Sequence, residues 1–191
     1  VALLANTDIS DPVTGLPDYE DPQRRLLAAT CAGVRIVDVY IPNGSEVGSE
    51  KYAYKLDWLD RLTGFLQAEL RKHERLVLLG DFNIAPEDRD VHDPQAWEGK
   101  VLCSEPEREA FRRLLSLGLV DTFRQMSNEA GVFSWWDYRM NGFRRNLGLR
   151  IDHILVSAAL SELTTTSLID KEPRGWERPS DHAPVLAEFE I

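Results

Sequence analysis

The run Leu76-Val77-Leu78-Leu79, ending at Gly80-Asp81, constrains the fold most strongly. An unbroken apolar run leaves no face for water, so it fits a strand covered on both sides. Such strands belong to sheets packed against helices. Tyr52, Leu56, Leu59, Leu62, Leu66 and Leu70 recur at spacings of three and four, which predicts a helix from about Ser49 to His73, with Ser49 as N-cap. Ser104-Glu105-Pro106-Glu107 has the capping-box pattern and opens a second helix to about Ser116. Leu26–Cys31 and Val34–Tyr40 flank Ala32-Gly33 and predict a hairpin. Residues 1–5, 132–136, 150–156, 163–169 and 183–191 read as further strands. Residues 6–25, rich in Asp, Pro and Gly, read as a long loop, and 84–103 as mostly loop. The expected class is α/β, with mixed sheets, few helices and one domain over 1–191.

Composition removes several alternatives. Of 191 residues, 43% are hydrophobic, and 22 Lys and Arg face 32 Asp and Glu, a net charge of −10. That mixture excludes a disordered tail, a collagen-like fibre and a disulfide miniprotein. It also argues against a broadly basic DNA-binding face. Cys31 and Cys103 read as thiols. No stretch of roughly 18 apolar residues occurs, and the first residues lack a basic leader. The expectation is cytoplasmic residence without a membrane partner.

Three acidic positions stand at the edges of β-runs, where loops assemble sites in layered folds: Asp81, Asp152 and Asp181. Their oxygens suit Mg²⁺ or Mn²⁺ rather than zinc, and His73, His92, His153 and His182 are scattered. Each of these residues has an equally simple structural role. Asp and Asn83 cap turns, and His182 can be a satisfied structural imidazole. Between Phe133 and Ile151, Arg139, Arg144, Arg145 and Arg150 face Asp137 alone, beside Trp135, Trp136 and Tyr138. Rings that stack and guanidinium groups that take phosphates suit a nucleic-acid edge. The tryptophans can equally close a core edge with the arginines solvated above them. Because neighbours on a strand point to opposite faces, one Trp can pack while the other reads DNA. Lys171, Arg174 and Arg178, diluted by Glu172 and Glu177, read as a solvated loop.

The stretches Gly80-Asp81-Phe82-Asn83-Ile84-Ala85-Pro86, Gly148-Leu149-Arg150-Ile151-Asp152 and Ser180-Asp181-His182-Ala183-Pro184 resemble the exodeoxyribonuclease III family. That family is a branch of the endonuclease/exonuclease/phosphatase superfamily. Val39-Tyr40-Ile41-Pro42-Asn43-Gly44 and Phe133-Ser134-Trp135-Trp136-Asp137-Tyr138-Arg139 match in the same order, and the latter points to the DNA-repair branch. The resemblance implies a four-layered α/β sandwich of two mixed sheets flanked by helices. It also implies a Mg²⁺- or Mn²⁺-dependent, monomeric DNA phosphodiesterase of base-excision repair, cutting double-stranded DNA 5′ to abasic sites and trimming 3′ ends. By the same resemblance Asp81 orients or deprotonates the attacking water, and Asn83 positions it. His182 bonds the phosphate with Asp152 as its partner, and Tyr40 donates to the phosphate. Asp181 and Asp81 belong to the metal environment. Asn43, Trp135, Trp136, Tyr138, Arg139 and Arg150 contact DNA, with Trp136 lining the pocket for the missing base. The family carries an earlier segment with an asparagine and a metal-binding glutamate. The first strands are therefore expected to lie outside 1–191, and this chain is expected to cleave weakly. The same motifs leave two other readings open: a superfamily phosphodiesterase acting on RNA or phospholipid head groups, and a chain that binds DNA or a partner without chemistry.

Overall fold

Parallel strands need a crossover, and the long amphipathic helix supplies it here. The computed structural model describes residues 1–191. In chain order it contains β1 (Ile9–Thr14), β2 (Leu26–Cys31), β3 (Val34–Tyr40), α1 (Glu50–Leu70) and β4 (Leu76–Asp81). Then come α2 (Pro94–Trp97), α3 (Glu105–Ser116), β5 (Val120–Asp121), α4 (Thr122–Met126) and β6 (Trp135–Trp136). The chain closes with β7 (Gly148–Leu149), β8 (Asp152–Val156), α5 (Ala158–Ser161), β9 (Thr164–Ile169) and β10 (Val185–Phe189). Six strands form one mixed sheet in the order β1-β2-β3-β4-β8-β5, in which β3 and β4 are parallel and the other pairs antiparallel. Beside it, β9 and β10 pair antiparallel, as do β6 and β7.

The expected packing on both faces of β4 is observed. Leu76 and Leu78 join Trp58, Leu59, Leu62, Leu66, Phe111 and Leu114 of α1 and α3 in the main core. Val77 packs on the opposite face with Val34, Val156 and Leu160, against Ile36, Leu79 and Phe189. Burying each large apolar side chain contributes about 1.5–3 kcal/mol, so the two helices hold this sheet firmly. Ser49 caps α1 by accepting from the Tyr52 amide, and the Ser104/Glu107 box caps α3, both as read. Cys31 and Cys103 are buried free thiols. No helix is long and apolar enough to cross a membrane.

The N-terminal reading needs correction. Residues 1–5 form no strand, and β1 lies inside the segment read as loop. Asp11 and Pro12 argue against a strand, but β1 is an edge strand whose register slips between Ser10 and Val13, with Asp11 at φ +50°. A bulge on an edge accommodates a proline that a central strand rejects. The short elements β5, β7, α4 and α5 are invisible in the sequence, because two to five residues carry too little periodicity.

Candidate active site

Sheet register assembles the first row of the site. Tyr40 on β3 stands opposite Asp81 on β4, and Asp81 stands opposite Asp152 on β8. Three residues far apart in sequence thus meet at one sheet end. Gly80 makes the approach possible: its φ is +135°, and a Cβ there would sit 1.9 Å from the Val39 carbonyl oxygen. Only glycine fits.

Past the strand, the chain turns back through Asn83, whose φ of +51° lies in the left-handed region that Asn tolerates. The Asn83 amide donates to Asp81 Oδ1 at 2.8 Å. Its side-chain Nδ2 donates to Asp81 Oδ2 at 2.9 Å and to the Ile41 carbonyl at 3.1 Å, and its Oδ1 accepts from Asn43 Nδ2 at 2.8 Å. Asn43 therefore joins the Asp81 cluster. Tyr40 is 45% exposed, with the Arg25 guanidinium 4.8 Å from its ring centre.

The second half of the site comes from the Ser-Asp-His segment. His182 Nδ1 lies 2.9 Å from Asp152 Oδ2 and 3.1 Å from Oδ1, so it donates to the carboxylate and leaves Nε2 free. Ser134, fully buried, orients that carboxylate: its hydroxyl donates to Asp152 Oδ2 at 2.6 Å and accepts from the Ile151 and Asp152 amides at 3.0 Å each. The β6 segment also stitches the loops together. It pairs with β7 on one side and bridges His182 through Trp135 on the other.

Asp81, Asp152 and His182 offer ligand atoms within 4.8 Å of one another. His182 Nδ1 is already engaged by Asp152, so the carboxylate oxygens are the donors best fitted to a hard divalent cation. Asp181 stands outside that trio, and its Oδ2 accepts from Trp135 Nε1 at 3.0 Å. Burial, followed by the nearby Asp152 charge, pushes the Asp81 carboxyl up to about 7 against the opposing pull of His182. Burial alone would lower the His182 pKa, but the Asp152 bond and the charges of Asp152, Asp81 and Asp181 outweigh it and raise it. A cleft of about 270 Å³ opens beside Asp81, Asp152, Ala183 and Pro184.

The expected DNA contacts divide. Trp135 is partly exposed, and Tyr138 and Arg139 are exposed beside Arg144 and Arg145. Trp136 is 0% exposed: its ring packs on Phe133 and Phe143, and its Nε1 donates to Asn146. It is a core residue and lines no open pocket, because alternation on β6 turns it inward. Arg150 is also misplaced by the sequence reading. It is 1% exposed, with Nε 2.6 Å from Asp90 and Nη1 2.8 Å from Asp121. Arg174 leaves the solvated loop as well. It is 5% exposed and lies over the Trp136, Tyr138 and Phe143 rings.

The sequence assigns no role to Ser134 or Lys55, and gives Glu107 only its place in the box that caps α3. Ser134 sits inside a quoted motif without a role. Lys55 carried a signal, because it interrupts the apolar face between Tyr52 and Leu59.

The profile of the Endonuclease/Exonuclease/phosphatase family matches residues 1–182. The chain belongs to this family. Exodeoxyribonuclease III of Haemophilus influenzae is 37% identical, over 99% of this chain and 76% of the relative. Among solved structures of the family, the 3′-5′ exonuclease NExo of Neisseria meningitidis superposes with a TM-score of 0.96 at 49% identity, over 98% of this chain and 73% of that one. NExo has also been solved as a 3′ phosphatase bound to a product DNA hairpin. An AP endonuclease from Archaeoglobus fulgidus superposes at 0.91 with 37% identity, over 97% and 72%.

Proposed function

We propose that this chain is a DNA-repair phosphodiesterase of the exodeoxyribonuclease III type, acting with Mg²⁺ or Mn²⁺ on abasic-site duplexes and DNA 3′ ends. One observation carries the reading: Asp81 with Asn83, and Asp152 with His182, converge at one sheet end beside an open cleft. Relatives named as 3′ phosphatase, exonuclease and AP endonuclease support the substrate class.

Phosphodiester hydrolysis needs a base for water and donors for the charge that grows on phosphate oxygens. Asp81, held by both Asn83 bonds beside the cleft, accepts the water proton. Asn83, tied to Asp81, orients that water. His182 is held with Nδ1 on Asp152, whose bond and charge favour the imidazolium; in that form Nε2–H is the donor to the phosphate, and the Tyr40 hydroxyl adds a second. Asp81 and Asp152 would hold the cation, whose contribution is neutralisation of phosphate charge. Trp135, Tyr138 and Arg139 supply the exposed aromatic and cationic edge for DNA.

Two carboxylates are a sparse ligand set for a hard cation, so cleavage by residues 1–191 is expected to be slow yet metal-dependent. The test is single-turnover cleavage of an abasic-site duplex and a recessed 3′ end, each with Mg²⁺ or EDTA. EDTA should abolish cleavage, and His182→Asn should lower it by about 10²- to 10⁴-fold. Cleavage that survives both would overturn the assignment.

A further inference from the structure

Beneath the Asp81 turn lies a lysine that touches neither the cleft nor solvent. Lys55, on α1, is 0% exposed. Its ammonium donates to the Asn83 carbonyl at 2.6 Å, to the Asn43 carbonyl at 3.2 Å, and to Glu107 Oε1. An ammonium has three protons, and three acceptors surround it, so the group is satisfied. Glu107 is itself held. Its Oε1 accepts from the Leu102 amide at 3.0 Å and its Oε2 from the Ser104 amide at 3.1 Å, within the box that starts α3.

The two carbonyls belong to the two residues whose side chains meet in front, Asn43 and Asn83. They come from separate loops, one after β3 and one after β4. We infer that Lys55 is a positioning residue, an internal clip that turns both carbonyls inward so that the Asn43 side chain meets Asn83 and the Asn83 side chain meets Asp81. Two features support this beyond packing. Asn83 holds a left-handed backbone, which costs an L-residue energy unless its surroundings over-determine it, and the Lys55 bond to its carbonyl is one such constraint. Gly44, next to Asn43, has φ +93°, and a Cβ there would lie 3.2 Å from Lys55 Cδ, so the loop folds directly over the lysine stem. The inference rests on the Asp81 cluster being the reactive site, and its test separates the two claims.

Lys55→Met alone strands the Glu107 charge, so the test variant is Lys55→Met/Glu107→Gln, which removes both charges. A second pair, Lys55→Gln/Glu107→Gln, retains side-chain donors. Two measurements are made on each: the Asn83 side-chain NH₂ resonances in an amide NMR spectrum, and the single-turnover cleavage rate with Mg²⁺. In the Met/Gln pair we expect the Asn83 resonances to move while the bulk of the spectrum is unchanged. The rate should fall about 10- to 100-fold, as loss of reactive geometry by an ångström or less costs, with DNA affinity within about threefold. The Gln/Gln pair should fall between that pair and the wild type. A folded pair with unmoved Asn83 resonances overturns the clip, whatever the rate does. Where the Met/Gln pair does not fold, the Gln/Gln pair decides by the same resonances. A wild-type chain that cuts no DNA ends the functional proposal, while the NMR arm still decides the role of Lys55.

Discussion

Arg150 and Arg139 come from one arginine-rich stretch and occupy opposite environments. Arg150 is locked between Asp90 and Asp121, touches His153 Nδ1 at 3.1 Å, and lies 5.3 Å from the Phe123 ring. Arg124 adds a second guanidinium to Asp90. Arg139 has a side chain 86% exposed and pairs only with its neighbour Asp137. A guanidinium in water is hydrated and exchanges partners freely, whereas one in the core must have every partner built around it. The two arginines therefore do different work. Arg150 secures the strand carrying Asp152, and Arg139 remains available to a polyanion.

Four measurements can break or sharpen that contrast. The largest effect is expected from Arg150→Ala, which leaves Asp90 and Asp121 buried without their shared cation. Unfolding free energy in urea should drop by roughly 3–5 kcal/mol. A drop below about 1 kcal/mol would return Arg150 to the exposed class. Trp136→Ala should lose about 3–5 kcal/mol through cavity formation. Trp135→Ala, partly exposed, should lose less and weaken DNA binding more. Equal stability losses at the two positions would contradict the inward turn of Trp136.

The third measurement concerns pH. Burial, with the Arg150 charge next, pushes the His153 pKa down to about 4. Between that value and the unfolded value near 6.5, the unfolded chain takes a proton that the folded chain refuses. The His153 contribution is thus present above about pH 6.5 and is lost as pH falls to about 4. The raised Asp81 carboxyl works in the opposite sense, so the useful quantity is the difference between wild type and His153→Leu, in which the Asp81 effect cancels. That difference should shift against the wild type by about 3 kcal/mol from pH 7 to pH 4 in urea titrations. A flat difference would show that His153 is not sealed in the Arg150 network.

The smallest effect belongs to Arg139→Ala. Its denaturation midpoint should match the wild type, while the slope of log K against log salt for duplex binding shrinks by about 0.9 for the lost phosphate contact. An unchanged slope would place Arg139 outside the DNA footprint.

Several features were legible without coordinates because their causes are local. The Ser49 cap, the Ser104/Glu107 box, the Ala32-Gly33 hairpin and the double-faced β4 each depend on residues a few positions apart. The family motifs likewise marked Asp81, Asn83, Asp152 and His182, which the fold brings to one place. The bulged β1 was hidden by its Asp-Pro pair, since only its position at the sheet edge makes that pair acceptable.

What the sequence alone determined was the helices with strong periods and caps, the fully covered strand, and the residue types able to do phosphodiester chemistry. Only the tertiary structure decided which tryptophan is core, which arginine is sealed, and that Lys55 reaches under two loops to grip Asn43 and Asn83. The physical reason is desolvation. A charged or aromatic side chain has the same local signature in a loop or in a core, and its role follows from whether distant segments remove its water and replace it with fixed partners.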